Sequence, residues 1–315
     1  MYFKNKVCHN AVVLFLVLLC HGLSGQTADS VSNAPARIPP WTLLLPGATS
    51  FYQGDITEGL TFSLLETSLI ITGLGYNKSL RNGSSSPYYN YPLFLGLQLY
   101  QTEKMLLLHN QLDRLKLERP DFCYDNISEK ELYCSPFILK NVFTPITGGM
   151  AGLATLFLGI NHQYATHHFR DVKKLYVMDR YTDRNKAIAL YSTVSLAMSW
   201  GAGVSEEYAF RNYVLPVLNY QYGRKKGLVI SSLMFGSAHF SNLLFSEHPD
   251  IISTLIQVGE ASLLGFFLGL DVQSRGYSIG PAVAAHTWYD FILMAGSFFA
   301  DPESNIFGVN VQFDL

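Results

Sequence analysis

The sequence predicts an all-α fold, a polytopic membrane bundle of about seven or eight helices preceded by a cleaved signal peptide. Three observations carry this. The 315 residues are 49% hydrophobic but only 15% charged, where soluble domains average about 25% charged. The apolar residues come in long blocks rather than in short alternation. The first block, Ala11 to Leu19, follows Lys4 and Lys6 and precedes Gly22, Ser24 and Gly25, the layout of a secretory signal with a short apolar core. A net charge of −2 gives no footing for a nucleic-acid partner.

In chain order, residues 1–25 read as the signal peptide and 26–186 as an N-terminal membrane region. Within that region, 26–40 is a polar leader and Trp41 to Gly59 an interfacial turn segment, too broken to span. Leu60 to Gly75 is a short span in which Glu66 needs a partner or a water-facing side. Pro92 to His109, interrupted by Gln98, Gln101, Glu103 and Lys104, is either a span packed inside the bundle or a helix lying at the surface. Asp113 to Ser135 is a charged exported loop whose Cys123 and Cys134 are expected to form a disulfide. Val142 to Ile160 is a span whose Gly148, Gly149, Gly152 and Gly159 predict close helix packing. The loop with Arg170, Lys173, Lys174, Arg180, Arg184 and Lys186 is the best cytoplasmic candidate.

Residues 187–300 form the second region. Its apolar runs are Ala187 to Val204, Gly227 to Phe245, Ile251 to Leu270 with Glu260 inside it, and Gly280 to Phe299; 301–315 is a polar tail. If Ala187 to Tyr222 crosses once, its basic flanks fall on opposite sides of the membrane. If it folds back, they share one.

Three of these helices carry ionisable groups in an apolar context, where each charge costs roughly 2.5–3.5 kcal/mol at mid-bilayer. The first holds Glu206, Glu207 and Arg211, the second His239, the third His286 and Asp290. At i,i+4, Glu207 can pair with Arg211 and Asp290 can reach His286. Glu206 points about 100° away from Glu207 around the helix and is left for another partner. Each feature alone reads as packing: a lone His in an apolar helix is more often a satisfied core residue than a catalyst. Together, on successive helices, they require mutual contacts in a shared polar cavity.

Glu206-Glu207-x-x-x-Arg211, Phe235-x-x-x-His239 and His286-x-x-x-Asp290 resemble, in order and context, the motifs of the CPBP intramembrane proteases. That family includes the CAAX prenyl endopeptidases of the Rce1 type and bacteriocin-processing and immunity (Abi-type) proteins. The likeness extends to Gly265-Phe266-Phe267-Leu268-Gly269 and Tyr277-Ser278-Ile279-Gly280-Pro281 and covers roughly Tyr191 to Phe299. It implies an endopeptidase core at 187–300, with membrane lipid and a peptide or membrane-protein substrate as partners. The signal peptide and exported cysteine pair point to a multi-pass protein of a bacterial inner (cytoplasmic) membrane, or to an endoplasmic-reticulum setting in a eukaryote.

The residues can supply that chemistry. Glu206 with His239 can bind and deprotonate a water, and His286 can donate to the oxyanion. Arg211 holds Glu207 ionised. Asp290 orients His286 or completes a metal shell. The family has been described both as metalloprotease and as glutamate-dependent protease, and both readings stay open: Glu206, His239 and His286 holding Zn2+ or another divalent metal, or no cofactor at all. The alternative function is a non-catalytic membrane scaffold or immunity-type binding protein with the same bundle; a proton-coupled transporter would use the same residue types.

Overall fold

The computed structural model describes residues 45–81, 112–163, 172–177, 180–241 and 251–300, with Gly96 and Leu108 as isolated positions. The expected signal peptide, the 301–315 tail and nearly all of Pro92 to His109 lie outside the described residues. The described chain is mostly helical.

Where a turn segment was expected, Ala48–Gln53 forms a short helix, α1, closed on each side by a left-handed glycine, Gly47 and Gly54. Ile56–Arg81 follows as α2, longer than the predicted span. Glu66 within it is enclosed by protein, at 0% exposure. The segment expected as a charged loop is partly ordered. Residues 112–118 are helical, and Glu129–Cys134 forms α3, capped by the Ser128 hydroxyl accepting from the Glu131 amide at 3.2 Å. Ser128-x-x-Glu131 is a capping-box pattern, which explains why a helix starts there. A 3-10 turn at Ser135–Phe137 and the short α4, Leu139–Val142, lead into α5, Pro145–Gln163.

Two expectations fail here. Cys123 and Cys134 are free, exposed thiols rather than a disulfide; the Cys123 thiol instead contacts the Asp121 carbonyl at 3.4 Å. Among the described residues, the glycines of α5 mediate no close packing: a Cβ at Gly148, Gly149, Gly152 or Gly159 would meet no described atom. Met150 and Ala154 are the buried residues of that helix.

After α5, Lys174–Val177 and Arg180–Asp183 pair as an antiparallel ribbon, β1 and β2, with Lys174 opposite Asp183. This small ribbon departs from the all-α expectation and sits inside the predicted basic loop.

From Arg184 the chain runs to Tyr222 as one 39-residue helical rod: α6, Arg184–Glu207, a π-helical segment at Tyr208–Val214, and α7, Leu215–Tyr222. Such a rod is about 58 Å long, against a hydrocarbon layer of about 30 Å. It does not fold back, so its basic flanks lie at opposite ends. The rod ends at Gly223, φ 82°. Arg224–Ala238 is α8, stopping short of the predicted end in a 3-10 turn at His239–Ser241; Ile251–Ser274 is α9 and Gly280–Ala300 is α10.

The rod and α9 are each long and apolar enough to cross a membrane, and Pro145–Ile160 is a shorter apolar helix. α10 packs against α5 and α6, and α8 against α9 and α7. Glycines let these contacts close. A Cβ on Gly203 would run into Thr287 of α10, and one on Gly236 into the α9 backbone at Val258. The core they enclose includes Tyr213, Leu215, Phe235, Leu268 and Ile279, each at most 4% exposed.

Candidate active site

The motif Glu206-Glu207-x-x-x-Arg211 lies where α6 gives way to the π-helical segment. A π turn inserts an extra residue into the helical ladder and recurs at functional sites. Here the i,i+4 pair still meets: Arg211 Nη1 donates to Glu207 Oε1 at 2.8 Å, with the side chains 1% and 0% exposed. A charge pair this deep persists only when hydrogen-bonded on several sides. Two further contacts meet that need. His286 Nδ1 lies 2.7 Å from the same Glu207 oxygen, and the Arg211 guanidinium stacks over the Phe235 ring at 4.0 Å.

Phe235 is the hub of the site. Its ring meets Phe210 at 5.1 Å, His239 at 5.2 Å and His286 at 5.9 Å, all edge-on. It therefore touches side chains from the rod, from α8 and from α10 at once. The space for this stacking comes from Gly265 of α9, where a Cβ would lie 3.0 Å from the Phe235 ring and 3.2 Å from Arg211 Nη2.

His286, buried on α10, sits between two carboxylates: Nδ1 faces Glu207 and Nε2 lies 3.3 Å from Asp290 Oδ2. A ring facing acceptors on both sides is fully satisfied as the doubly protonated imidazolium. His239, half-buried at the end of α8, points Nδ1 at the Phe235 carbonyl, 3.1 Å away. That carbonyl can only accept, so Nδ1 carries the proton and Nε2 keeps its lone pair for another partner. Glu206 is half-buried and lies within the electrostatic reach of His286, His239, Asp290 and Glu207. Glu207 Oε2 and Arg211 Nη2 are buried with no hydrogen-bond partner among the described residues, which leaves polar capacity unused beside the ion pair.

The six residues singled out from the sequence thus belong to one neighbourhood. As placed, they do not fit a metal centre. A carboxylate with two imidazoles needs a free lone pair on each ring, and both nitrogens of His286 face carboxylates. Among the described residues, no three His, Cys, Asp or Glu side chains are grouped to hold an ion.

Comparison with known families decides the relationship. Residues 188–292 match the family model of the Rce1-like type II CAAX prenyl endopeptidases. The expected CPBP likeness is borne out, and this third of the chain is similar to a membrane-embedded protease family. The Rce1-like segment begins in α6 and ends within α10, so it contains all six site residues. No curated protein and no solved structure matches the chain.

Three features of the Rce1-like segment escaped the sequence reading. The bond between Glu207 and His286 joins residues 79 apart in sequence, and no spacing rule reports a contact between helices. Tyr289 donates to Glu260 at 2.5 Å, which gives the carboxylate inside α9 its partner; only the oddity of Glu260 in an apolar run signalled that one was needed. Asn212, 0% exposed in the π-helical segment, reaches outside the segment altogether to Asp125.

Proposed function

We propose that this chain is a multi-pass intramembrane endopeptidase that hydrolyses a peptide bond with a water activated by Glu206. The observation that carries the reading is the division of labour between adjacent carboxylates. Glu207 is committed to Arg211 and His286, while Glu206 is left in the fields of both histidines. Glu206 takes a proton from the water as its oxygen attacks the carbonyl carbon, and His239 Nε2 accepts from the same water and aims it. The Nε2–H of His286, held to Asp290 only by the longer 3.3 Å contact, shifts to the oxyanion that forms, while the 2.7 Å bond from Nδ1 to Glu207 fixes the ring. Glu206 then passes its proton to the amide nitrogen as the C–N bond breaks, releasing an acid and an amine.

Every one of these steps uses groups of the chain, with no cofactor. Metal analysis of the purified protein tests that choice against Zn2+ or another divalent ion held by Glu206, His239 and His286. The setting is a membrane, with lipid against the exposed apolar residues of α9 such as Ile252, Ile256 and Leu263, and a bacterial inner membrane as the location. The substrate is a peptide or a membrane protein.

The experiment is cleavage of a peptide library by purified protein in lipid nanodiscs. Wild type cleaves, and Glu206→Gln, equally folded, loses cleavage by about 10²–10⁴-fold. Retained cleavage in Glu206→Gln rejects the mechanism.

A further inference from the structure

Residues 112–142 precede the Rce1-like segment, yet they are bonded to each of its elements that carries Glu206, Glu207, Arg211 or His286. The Trp200 indole of α6 donates to the Tyr133 carbonyl at 2.8 Å, and the Trp288 indole of α10 donates to the Pro136 carbonyl at 2.8 Å. Phe137 packs edge-on against both indoles, at 5.9 and 6.5 Å. At the other end of this layer, Asp125 makes three bonds. Its amide donates to Asn212 Oδ1 at 2.9 Å and its carbonyl accepts from Asn212 Nδ2 at 3.0 Å. Its side chain accepts from the Ile279 amide at 2.9 Å.

The two partners of Asp125 are placed to matter. Asn212 follows Arg211 in the π-helical segment, and its side-chain amide bonds both backbone groups of Asp125 as a neighbouring strand would. Ile279, 0% exposed, directly precedes α10, and its carbonyl accepts the first helical bond, from the Val283 amide. His286 stands two turns further along. One residue therefore spans the gap between the element that holds Arg211 and the start of the helix that holds His286. The bond from Glu207 to His286 crosses that same gap at 2.7 Å. Lys140 and Glu131, whose charges both reach Asp125, pair with each other at 3.4 Å.

We infer that Asp125 is a positioning residue for the proposed peptidase, setting the spacing between the π-helical segment and α10 and so the approach of His286 to Glu207. The inference rests on the proposed activity for its kinetic consequence, but not for its geometric one. A misplacement of about 1 Å at a reacting centre can cost about 10²-fold in rate, so a tie from outside the 188–292 segment can govern turnover within it. A layer that merely covered the core would shift stability and leave kcat alone.

The test compares full-length wild type with Asp125→Ala and Asp125→Asn, by cleavage kinetics and by backbone hydrogen exchange. Asp125→Ala keeps the backbone bonds to Asn212 and removes the side-chain bond to the Ile279 amide. It is therefore expected to lower kcat about tenfold or more with KM within about twofold, and to speed exchange at Gly280–Ala285. Asp125→Asn keeps an acceptor for the Ile279 amide and is expected to restore both readouts to near wild type. Faster exchange confined to residues 120–128, or loss of kcat in Asp125→Asn equal to that in Asp125→Ala, overturns the inference. If wild type cleaves nothing, the proposed activity fails while the exchange measurement still decides the role of Asp125.

Discussion

Replacing Arg211 by Met tests how the buried charges are held. The substitution keeps much of the side-chain volume but removes the 2.8 Å ion pair with Glu207 and the stacking over Phe235. Exposed pairs contribute only about 0.2–1 kcal/mol. Both partners here are at most 1% exposed, and stripping one member of a buried pair costs about 3–5 kcal/mol. His286 still donates to Glu207 at 2.7 Å and partly neutralises it, so about 3 kcal/mol is the expected loss. The double variant Glu207→Gln/Arg211→Met leaves no orphaned charge and is expected to be less destabilised than the sum of its singles by about 1–3 kcal/mol. Denaturant titration in detergent micelles, followed by far-UV circular dichroism, measures all four proteins. A loss below about 1 kcal/mol in Arg211→Met, or additive singles, refutes the reasoning.

Gly203→Leu should separate α6 from α10 at the level of Thr287, since a Cβ there already meets the Thr287 amide nitrogen at 3.0 Å; about 1–3 kcal/mol of stability and most cleavage are lost, read by the same titration and a peptide assay. Asp125 has a raised pKa, mainly because burial disfavours its charge, with the Glu131 carboxylate adding to this and the Ile279 amide and Lys140 opposing it. The folded chain therefore binds more protons than the unfolded one as pH climbs above the ordinary value of 3.8, and stability falls through that window up to the folded pKa. Asp125→Asn should flatten the fall, measured as unfolding midpoint against pH. Cys123 and Cys134 should both react with a maleimide without prior reduction; labelling that requires a reductant would show a bridge.

The helices of the C-terminal half were legible because each is an apolar run bounded by Gly, Pro or charge, as Gly223 and Gly280-Pro281 bound theirs. The pairings of Glu207 with Arg211 and of His286 with Asp290 followed from i,i+4 spacing alone. The contacts between helices did not. Nothing local to Phe235 shows that its ring will touch Arg211, His239 and His286, and nothing in the glycines of α5 distinguishes them from those that close on a neighbour. The interfacial glycines include Gly203, Gly236, Gly265, Gly269 and Gly296, and only the packed structure separates the two kinds. The π-helical segment was likewise hidden, although Pro216 just beyond it, with no N–H to give the Asn212 carbonyl, is a local sign that the helical ladder is interrupted there. The small helix α3 was more accessible, since Ser128-x-x-Glu131 announces its start inside what otherwise reads as a loop.

The most direct test of a single shared site is non-additivity of its parts. Residues acting as one unit lose little more when a second is removed. Cleavage rates of Glu206→Gln, His286→Ala and the double variant, each verified as folded, should show the double no slower than the worse single by more than about threefold. A double variant whose loss equals the product of the single losses would mean that Glu206 and His286 act in separate places, and the shared site would be wrong.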